Sequence, residues 1–242
     1  MGFAPVGRRP PDPKGARIGK PQAILFDIDG TLISTGGAGA VAWRLAFEDL
    51  YGLPADIGKY TDAGMTDPEV GRITFERVIG RPPTSEEMAS LMTKRSQYLP
   101  EAVSQSDGYR VLDGVPETLE RLSRAGFLLG LTTGGVEAAA HIKLARADLN
   151  KYFSFGGYGS DSSDRTELTR TAIVRAGNIL GEPVDPRRVL VVGDTPLDIE
   201  AAHAAGATAV GVASGHYDEE QLRAAGADYV LGSLREELPG IG

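Results

Sequence analysis

The chain has 242 residues and no cysteine, which excludes a disulfide framework, a thiolate metal site and a cysteine nucleophile. Hydrophobic residues make up 41% and charged residues 24%, a composition that excludes wholesale disorder. The formal net charge is −8 and no basic block interrupts it, so nucleic acid and anionic membranes are not expected as partners.

The N-terminal segment, residues 1–20, is rich in proline, glycine, arginine and lysine. It lacks the apolar run of a secretory signal, and no other run in the chain is long and apolar enough to cross a membrane. We therefore expect residues 1–20 to form a flexible tail and the protein to be cytoplasmic.

Short apolar runs alternate along the chain with segments of helical pattern. The runs are residues 23–26, 127–131, 189–192, 209–212 and 229–231. Such runs are typical of strands that are buried on both faces of a parallel sheet. Helices are predicted near residues 116–125, 136–149, 164–176, 196–205 and 218–225. The alternation predicts an α/β fold with a doubly wound, mostly parallel, Rossmann-like sheet.

Residues 36–107 break this alternation, because they contain no strong strand run. Three helices are predicted there, near residues 38–51, 67–79 and 84–106. We therefore predict an all-helical domain, residues 36–107, inserted into an α/β core that comprises residues 21–35 and 108–242.

Acidic residues follow two of the predicted strands. Asp27 and Asp29 follow the first, and Asp194 and Asp198 follow the run at 189–192. Ligands bind at the carboxyl ends of strands in such sheets, so these four carboxylates are expected to converge. They would repel one another strongly unless a cation neutralised them, and oxygen donors with a phosphate nearby favour Mg²⁺. This interpretation requires the side chains of Asp27 and Asp194 to lie close enough to share one ion.

Groups suited to a phosphoryl anion follow other strands. The Thr133 hydroxyl and the amide of Gly134 precede a predicted helix, whose N-terminus attracts anions. Arg165 begins another helix and is expected to bind phosphate oxygens, with Lys143 as a competing cation. A carboxylate nucleophile, a metal, an anion site and a cation are the parts that phosphoryl transfer needs.

These segments resemble the motifs of the haloacid dehalogenase superfamily of hydrolases, in its phosphatase branch. The sequence FDIDGTL at residues 26–32 matches the first motif, LTTG at 131–134 the second, and VGDTPLDI at 192–199 the fourth. Two departures stand out: Arg165 is assigned to the third motif, which usually has lysine, and Gly135 stands where relatives often have asparagine.

The resemblance implies hydrolysis of a phosphomonoester through an aspartyl-phosphate. Asp27 would be the nucleophile, and Asp29 would be the general acid and base. Mg²⁺ would be held by Asp27, the Asp29 carbonyl and Asp194, with Asp198 in support. Thr133, Gly134 and Arg165 would bind the phosphoryl group.

The helical insertion resembles the mobile cap of the phosphoglycolate-phosphatase-like members. Thr66 and Asp67 lie in a stretch that is near the active site in relatives, so they are predicted to contact substrate. The substrate is expected to be a small phosphorylated metabolite, with a phosphoglycolate-like compound as one candidate.

Three other functions stay open at this point. A sugar-phosphate mutase shares the type of cap and differs in how water reaches the phosphoenzyme. A dehalogenase of the same superfamily is disfavoured by Asp29 and Asp194, which it would not need. A non-catalytic scaffold is the least expected, because all four carboxylates are present. The sequence does not predict the oligomeric state.

Overall fold

The computed structural model describes residues 19–241. The predicted tail, residues 1–20, lies outside the described residues except for Gly19 and Lys20. The domain boundaries at 36 and 107 stay predictions, although the helices between them are observed.

The strands of the described residues alternate with helices along most of the chain. In chain order they are β1 Ala23–Phe26, β2 Ile33–Thr35, β3 Tyr109–Val111, β4 Leu128–Thr133, β5 Gly156–Tyr158, β6 Val189–Gly193, β7 Thr208–Val212 and β8 Tyr229–Leu231. Six of them form a parallel sheet in the order β5-β4-β1-β6-β7-β8. The predicted α/β fold is confirmed, and β1 lies near the middle of the sheet.

Helices are the second set of elements. They are α1 Ala38–Tyr51, α2 Asp67–Ile79, α3 Ser85–Ser104, α4 Val115–Arg124, α5 Glu137–Ala145, α6 Arg165–Leu180, α7 Pro196–Ala204 and α8 Glu219–Ala224. Between residues 19 and 241, none of these helices has the length and apolar character that a membrane span requires.

The two faces of the sheet are covered by different hydrophobic clusters. Ile24 and Phe26 of β1 pack into one cluster with residues of α4 and α5. Ala23 and Leu25 pack into the other with residues of α6, α7 and α8. Because successive side chains of a strand point to opposite faces, a strand covered on both faces needs an unbroken apolar run. This explains the sequence of β1.

The inserted helices α1, α2 and α3 share a hydrophobic cluster of their own. Trp43 and Phe47 of α1, Phe75 of α2 and Leu91 of α3 are buried there. The antiparallel pair β2–β3 carries the chain into the insertion and back. The two chain segments that enter and leave the insertion pass each other at Gly36 and Gly108. A Cβ on Gly36 would lie 2.5 Å from the Cα of Gly108, so there is no room for a side chain at this point.

Candidate active site

Three buried carboxylates meet at the carboxyl edge of the sheet. Strands β1 and β6 are neighbours, with Phe26 paired to Val192, so the residues that follow them lie side by side. Asp27, Asp194 and Asp198 each offer an oxygen atom within 4.8 Å of the others. The required proximity of Asp27 and Asp194 is therefore observed.

The turn after β1 is shaped to receive Asp194. Gly30 has φ +86°, and a Cβ at this position would lie 2.3 Å from Asp194 Oδ2. Only glycine allows both that backbone conformation and that close approach. The Thr31 hydroxyl donates to Asp194 Oδ1 at 3.1 Å, and the Ser214 hydroxyl donates to the Gly30 carbonyl at 2.7 Å. These contacts hold the Asp194 carboxylate beside the first loop.

Asp198 has two functions at the start of α7. Its Oδ2 accepts hydrogen bonds from the Thr195 amide at 3.1 Å and from the Thr195 hydroxyl at 2.7 Å, closing a capping box. Its Oδ1 contacts Arg165 Nη2. The helix cap was predicted from the sequence, whereas the ion pair between Asp198 and Arg165 becomes visible only in the folded structure.

Arg165 is the buried cation among these acids. Besides Asp198, its Nη2 reaches Asp27 Oδ1 at 3.4 Å, and its Nη1 donates to the carbonyl of Gly64 in the insertion at 2.8 Å. Its Nε is buried and has no hydrogen-bond partner among residues 19–241. The guanidinium therefore joins the acidic cluster to the insertion and keeps one donor unused.

The carboxylates are hard to ionise together. Burial and then the repulsion from Asp198 raise the pKa of Asp27 to about 7, although Arg165 opposes the shift. Burial and then the charges of Asp27 and Asp198 raise the pKa of Asp194 to about 8. Burial works against the charged form of Arg165, but Asp198 and Asp27 outweigh it and raise its pKa. One cation for three acids leaves negative charge in excess, and hard oxygen donors of this kind fit a divalent cation.

Asp29 is separate from the three buried carboxylates. Its side chain is 44% exposed, and Oδ2 contacts Nζ of Lys143, which is buried on α5. The two cations that the sequence left as competitors thus face different acids: Arg165 faces Asp27, and Lys143 faces Asp29.

The second motif forms a tight loop at the end of β4. The Thr133 hydroxyl accepts a hydrogen bond from the Gly135 amide at 3.2 Å. The Gly134 carbonyl accepts one from the Asp67 amide at 2.7 Å. A Cβ on Gly134 would lie 2.5 Å from the Met65 carbonyl oxygen, so this glycine lets the insertion pack directly on the loop.

Thr66 and Asp67 are buried at the boundary between insertion and core. The Thr66 hydroxyl donates to the Ser163 carbonyl at 3.2 Å. Asp67 Oδ2 accepts from the Val136 amide at 2.9 Å and lies 2.9 Å from Arg95 Nη1. Both side chains already have protein partners, and their contact with substrate stays a prediction.

Sequence reasoning missed several residues of the site. Thr31 lies inside the matched first motif, so its hydroxyl was a usable signal. Ser214 follows the run at 209–212 and so lies at the same sheet edge, which was a second usable signal. The Gly64 carbonyl carries no side-chain signal, and its contact with Arg165 appears only once the insertion is folded onto the core.

The fold and the site together define an α/β enzyme whose polar groups gather at the carboxyl edge of a parallel sheet. The chain belongs to the haloacid dehalogenase-like hydrolase family, which it matches over residues 21–206. The family resemblance of its motifs is thereby confirmed.

Similar proteins agree with this assignment. A phosphoglycolate phosphatase from Aquifex aeolicus is 32% identical over 190 residues, covering 76% of this chain and 81% of that protein. One from Salmonella choleraesuis is 28% identical and covers 91% of this chain and 92% of that protein. The crystal structure of a hydrolase from Pseudomonas syringae aligns with a TM-score of 0.66 at 29% identity, covering 86% of this chain and 92% of that one. The chain is therefore an enzyme, a hydrolase of the phosphatase type.

Proposed function

We propose that this phosphatase is Mg²⁺-dependent and hydrolyses the phosphomonoester of a small metabolite through an aspartyl-phosphate on Asp27. The observation that carries the proposal is the position of Asp27, between a buried guanidinium with an unused Nε donor and two further buried carboxylates. A nucleophile, an anion-binding cation and a set of hard-ion donors thus share one crevice.

The donor set suits a divalent cation. Asp27 and Asp194 would hold Mg²⁺ with the Asp29 carbonyl, and Asp198 would support them from its position beside both carboxylates. The raised pKa values of Asp27 and Asp194 support this choice, because a cation would favour their charged forms. When bound, Mg²⁺ supplies charge neutralisation to the phosphoryl oxygens.

The residues of the chain would carry two displacements. In the first, Asp27 Oδ forms a bond to phosphorus as the ester P–O bond breaks, and Asp29 gives its proton to the leaving oxygen. In the second, Asp29 takes a proton from water, whose oxygen attacks phosphorus and releases Asp27 and inorganic phosphate. Arg165 and the Thr133–Gly134 loop would bind the phosphoryl oxygens throughout, and Arg165 Nε has a donor free for that purpose.

The helical insertion supports a small substrate. Its Gly64 carbonyl touches Arg165, and its Met65 carbonyl packs against Gly134, so it covers the phosphate-binding residues from above the sheet edge. This arrangement favours a metabolite over a large phosphorylated chain. The relatives named phosphoglycolate phosphatase make 2-phosphoglycolate the first substrate to test.

A phosphate-release assay tests the proposal. The panel contains 2-phosphoglycolate, a nucleoside monophosphate, pyrophosphate, a sugar phosphate and p-nitrophenyl phosphate, each with Mg²⁺ and with excess EDTA. We expect inorganic phosphate from at least one ester, and its loss with EDTA. A mutase would instead move phosphate between sugar positions, a dehalogenase would release halide from a haloacid without metal, and a scaffold would do neither; each of these results would contradict the proposal.

A further inference from the structure

One short segment of the insertion, Gly64–Asp67, makes three hydrogen bonds to the loops at the carboxyl edge of the core sheet. The Gly64 carbonyl accepts from Arg165, the Thr66 hydroxyl donates to the Ser163 carbonyl, and the Asp67 amide donates to the Gly134 carbonyl. Each contact falls on a loop that carries a candidate phosphate-binding residue. The position of this segment and the arrangement of the phosphate-binding loops are therefore coupled, while α3 packs separately against α5 of the core.

The Asp67 carboxylate is the charged part of that junction. Its Oδ2 accepts a hydrogen bond of 2.9 Å from the Val136 amide of the core. The same oxygen lies 2.9 Å from Nη1 of Arg95, which belongs to α3 of the insertion. It also lies beside Gly135, where a Cβ would be 3.7 Å from Asp67 Oδ2 and 3.6 Å from Thr133 Oγ1. The carboxylate thus links α3 to the start of α5, just after the second motif.

Arg95 is placed to hold that carboxylate. Its side chain is 2% exposed, and its guanidinium lies 5.0 Å from the ring of Trp43. Asp67 is its one acidic partner among residues 19–241, and over the same residues its Nε and Nη1 make no well-aligned hydrogen bond. A buried guanidinium with so few partners depends strongly on the one carboxylate that it has.

We infer that Arg95 is a positioning residue that acts through Asp67: it holds the Asp67 carboxylate on the Val136 amide and so docks the insertion onto the phosphate-binding loop. The inference deepens the proposed function and rests on it for its effect on turnover. It assigns to Asp67 a contact with the core, in place of a contact with substrate. The docking itself is a property of the fold and is measurable without any substrate.

Amide hydrogen exchange at Val136 tests the docking directly in the full chain. In Arg95→Met, we expect the Val136 amide to exchange at least about tenfold faster than in the wild type. The reason is that the Asp67 carboxylate, which accepts the hydrogen bond from this amide, is no longer held by Arg95. The amide of Ala140 in α5, which donates to the carbonyl of Val136 just before the helix, should not change. Asp67→Asn should accelerate Val136 similarly, and Arg95→Lys should restore part of the protection.

Turnover gives a second measurement. With p-nitrophenyl phosphate, Arg95→Met is expected to lower kcat by about 10- to 100-fold and to change KM by less than about threefold, because the misplaced loop still binds the ester. Lys94→Met is the matched control, since Lys94 is the neighbour of Arg95 on α3, is partly exposed and pairs with Asp49 of α1 at 2.7 Å. It should change neither kcat nor the exchange of Val136.

The outcomes separate this inference from the proposed function. Unchanged exchange at Val136 in Arg95→Met would overturn the inference. So would acceleration that runs in parallel through the amides of α1, α2 and α3, because Arg95 would then only stabilise the insertion. If Arg95→Met fails to fold, Arg95→Lys and Asp67→Asn decide by the same exchange measurement. A wild-type enzyme that releases no phosphate would contradict the proposed function, while the exchange result would still stand.

Discussion

The two sides of the candidate site handle buried charge differently. On the core side, three carboxylates lie together, one guanidinium contacts two of them, Asp27 and Asp198, and the pKa values of Asp27 and Asp194 are raised. On the insertion side, Asp67 meets one guanidinium and one backbone amide. Excess negative charge favours a site that gains stability from a bound cation, whereas a balanced pair favours a contact that holds two parts of a molecule together.

This difference predicts what substitutions do. Changes on the core side should alter chemistry and metal binding with the fold retained. Changes on the insertion side should alter docking.

Asp27→Asn is expected to have the largest effect. Loss of the nucleophile should lower kcat on p-nitrophenyl phosphate by about 10⁴-fold or more. The melting temperature without metal should be equal to or above that of the wild type at pH 8, because one of three repelling carboxylates is gone. Asp113→Asn, at an exposed carboxylate, is the control. Wild-type turnover in Asp27→Asn would contradict the assignment of the nucleophile.

Arg165→Met is expected to lower kcat by about 10² to 10³-fold, because a cation that faces the transferring phosphoryl group is lost. Arg165→Lys should recover only part of this, since an ammonium cannot reach Asp27, Asp198 and the Gly64 carbonyl together. Steady-state kinetics check both variants. Arg170→Met, on the same helix but exposed and paired with Glu167, should keep wild-type rates; equal losses in the two methionine variants would indicate a defect of helix α6 instead.

Stability should depend on pH and on metal together. The pKa values of Asp27, about 7, and Asp194, about 8, lie above the unfolded value of about 4. Between these limits the folded state binds more protons than the unfolded state, so the free energy of unfolding of the metal-free protein falls as pH rises.

A divalent cation competes with the protons on Asp27 and Asp194 and should restore the free energy of unfolding that is lost as pH rises. Mg²⁺ at about 100 times its Kd contributes about 2.7 kcal/mol. For a chain of this size that corresponds to about 5–10 °C in melting temperature. Calorimetry at pH 5 and pH 8, with and without MgCl₂, measures the change in melting temperature on adding Mg²⁺. We expect a large increase at pH 8 and a small one at pH 5. The same shift at both pH values would show that Mg²⁺ binds away from Asp27 and Asp194.

Much of the fold could be predicted because the central strands of its sheet are buried on both faces. The runs that became β1, β4, β6, β7 and β8 are continuous and apolar, which leaves few alternatives. Strand β5 could not be found that way, because its residues Gly156 and Gly157 carry no apolar side chain. They are glycines for a packing reason: a Cβ on Gly157 would lie 1.8 Å from the Leu168 carbonyl oxygen of α6. Such a contact between helix and strand leaves no local pattern.

The site divides in the same way. Asp27, Asp194 and Asp198 directly follow strands or cap a helix, so topology alone brings them together. Contacts made to the site by the insertion or by the face of a helix could not be predicted from the sequence, because they depend on how whole elements pack. The sequence left Arg165 and Lys143 as alternatives for one function, and the structure gives each of them a different acid.

Lys143→Met tests that division of labour and has the smallest expected effect. If Lys143 only holds the half-exposed Asp29 carboxylate, the variant should lower kcat by about tenfold, because the acid is less well oriented. The inhibition constant of inorganic phosphate should then stay within about twofold of the wild type, whereas Arg165→Met should weaken phosphate binding clearly. Lys151→Met, at an exposed lysine paired with Asp148, is the control. Weaker phosphate inhibition in Lys143→Met would mean that both cations bind the phosphoryl group, and the separation between Arg165 on the nucleophile and Lys143 on the acid would be wrong.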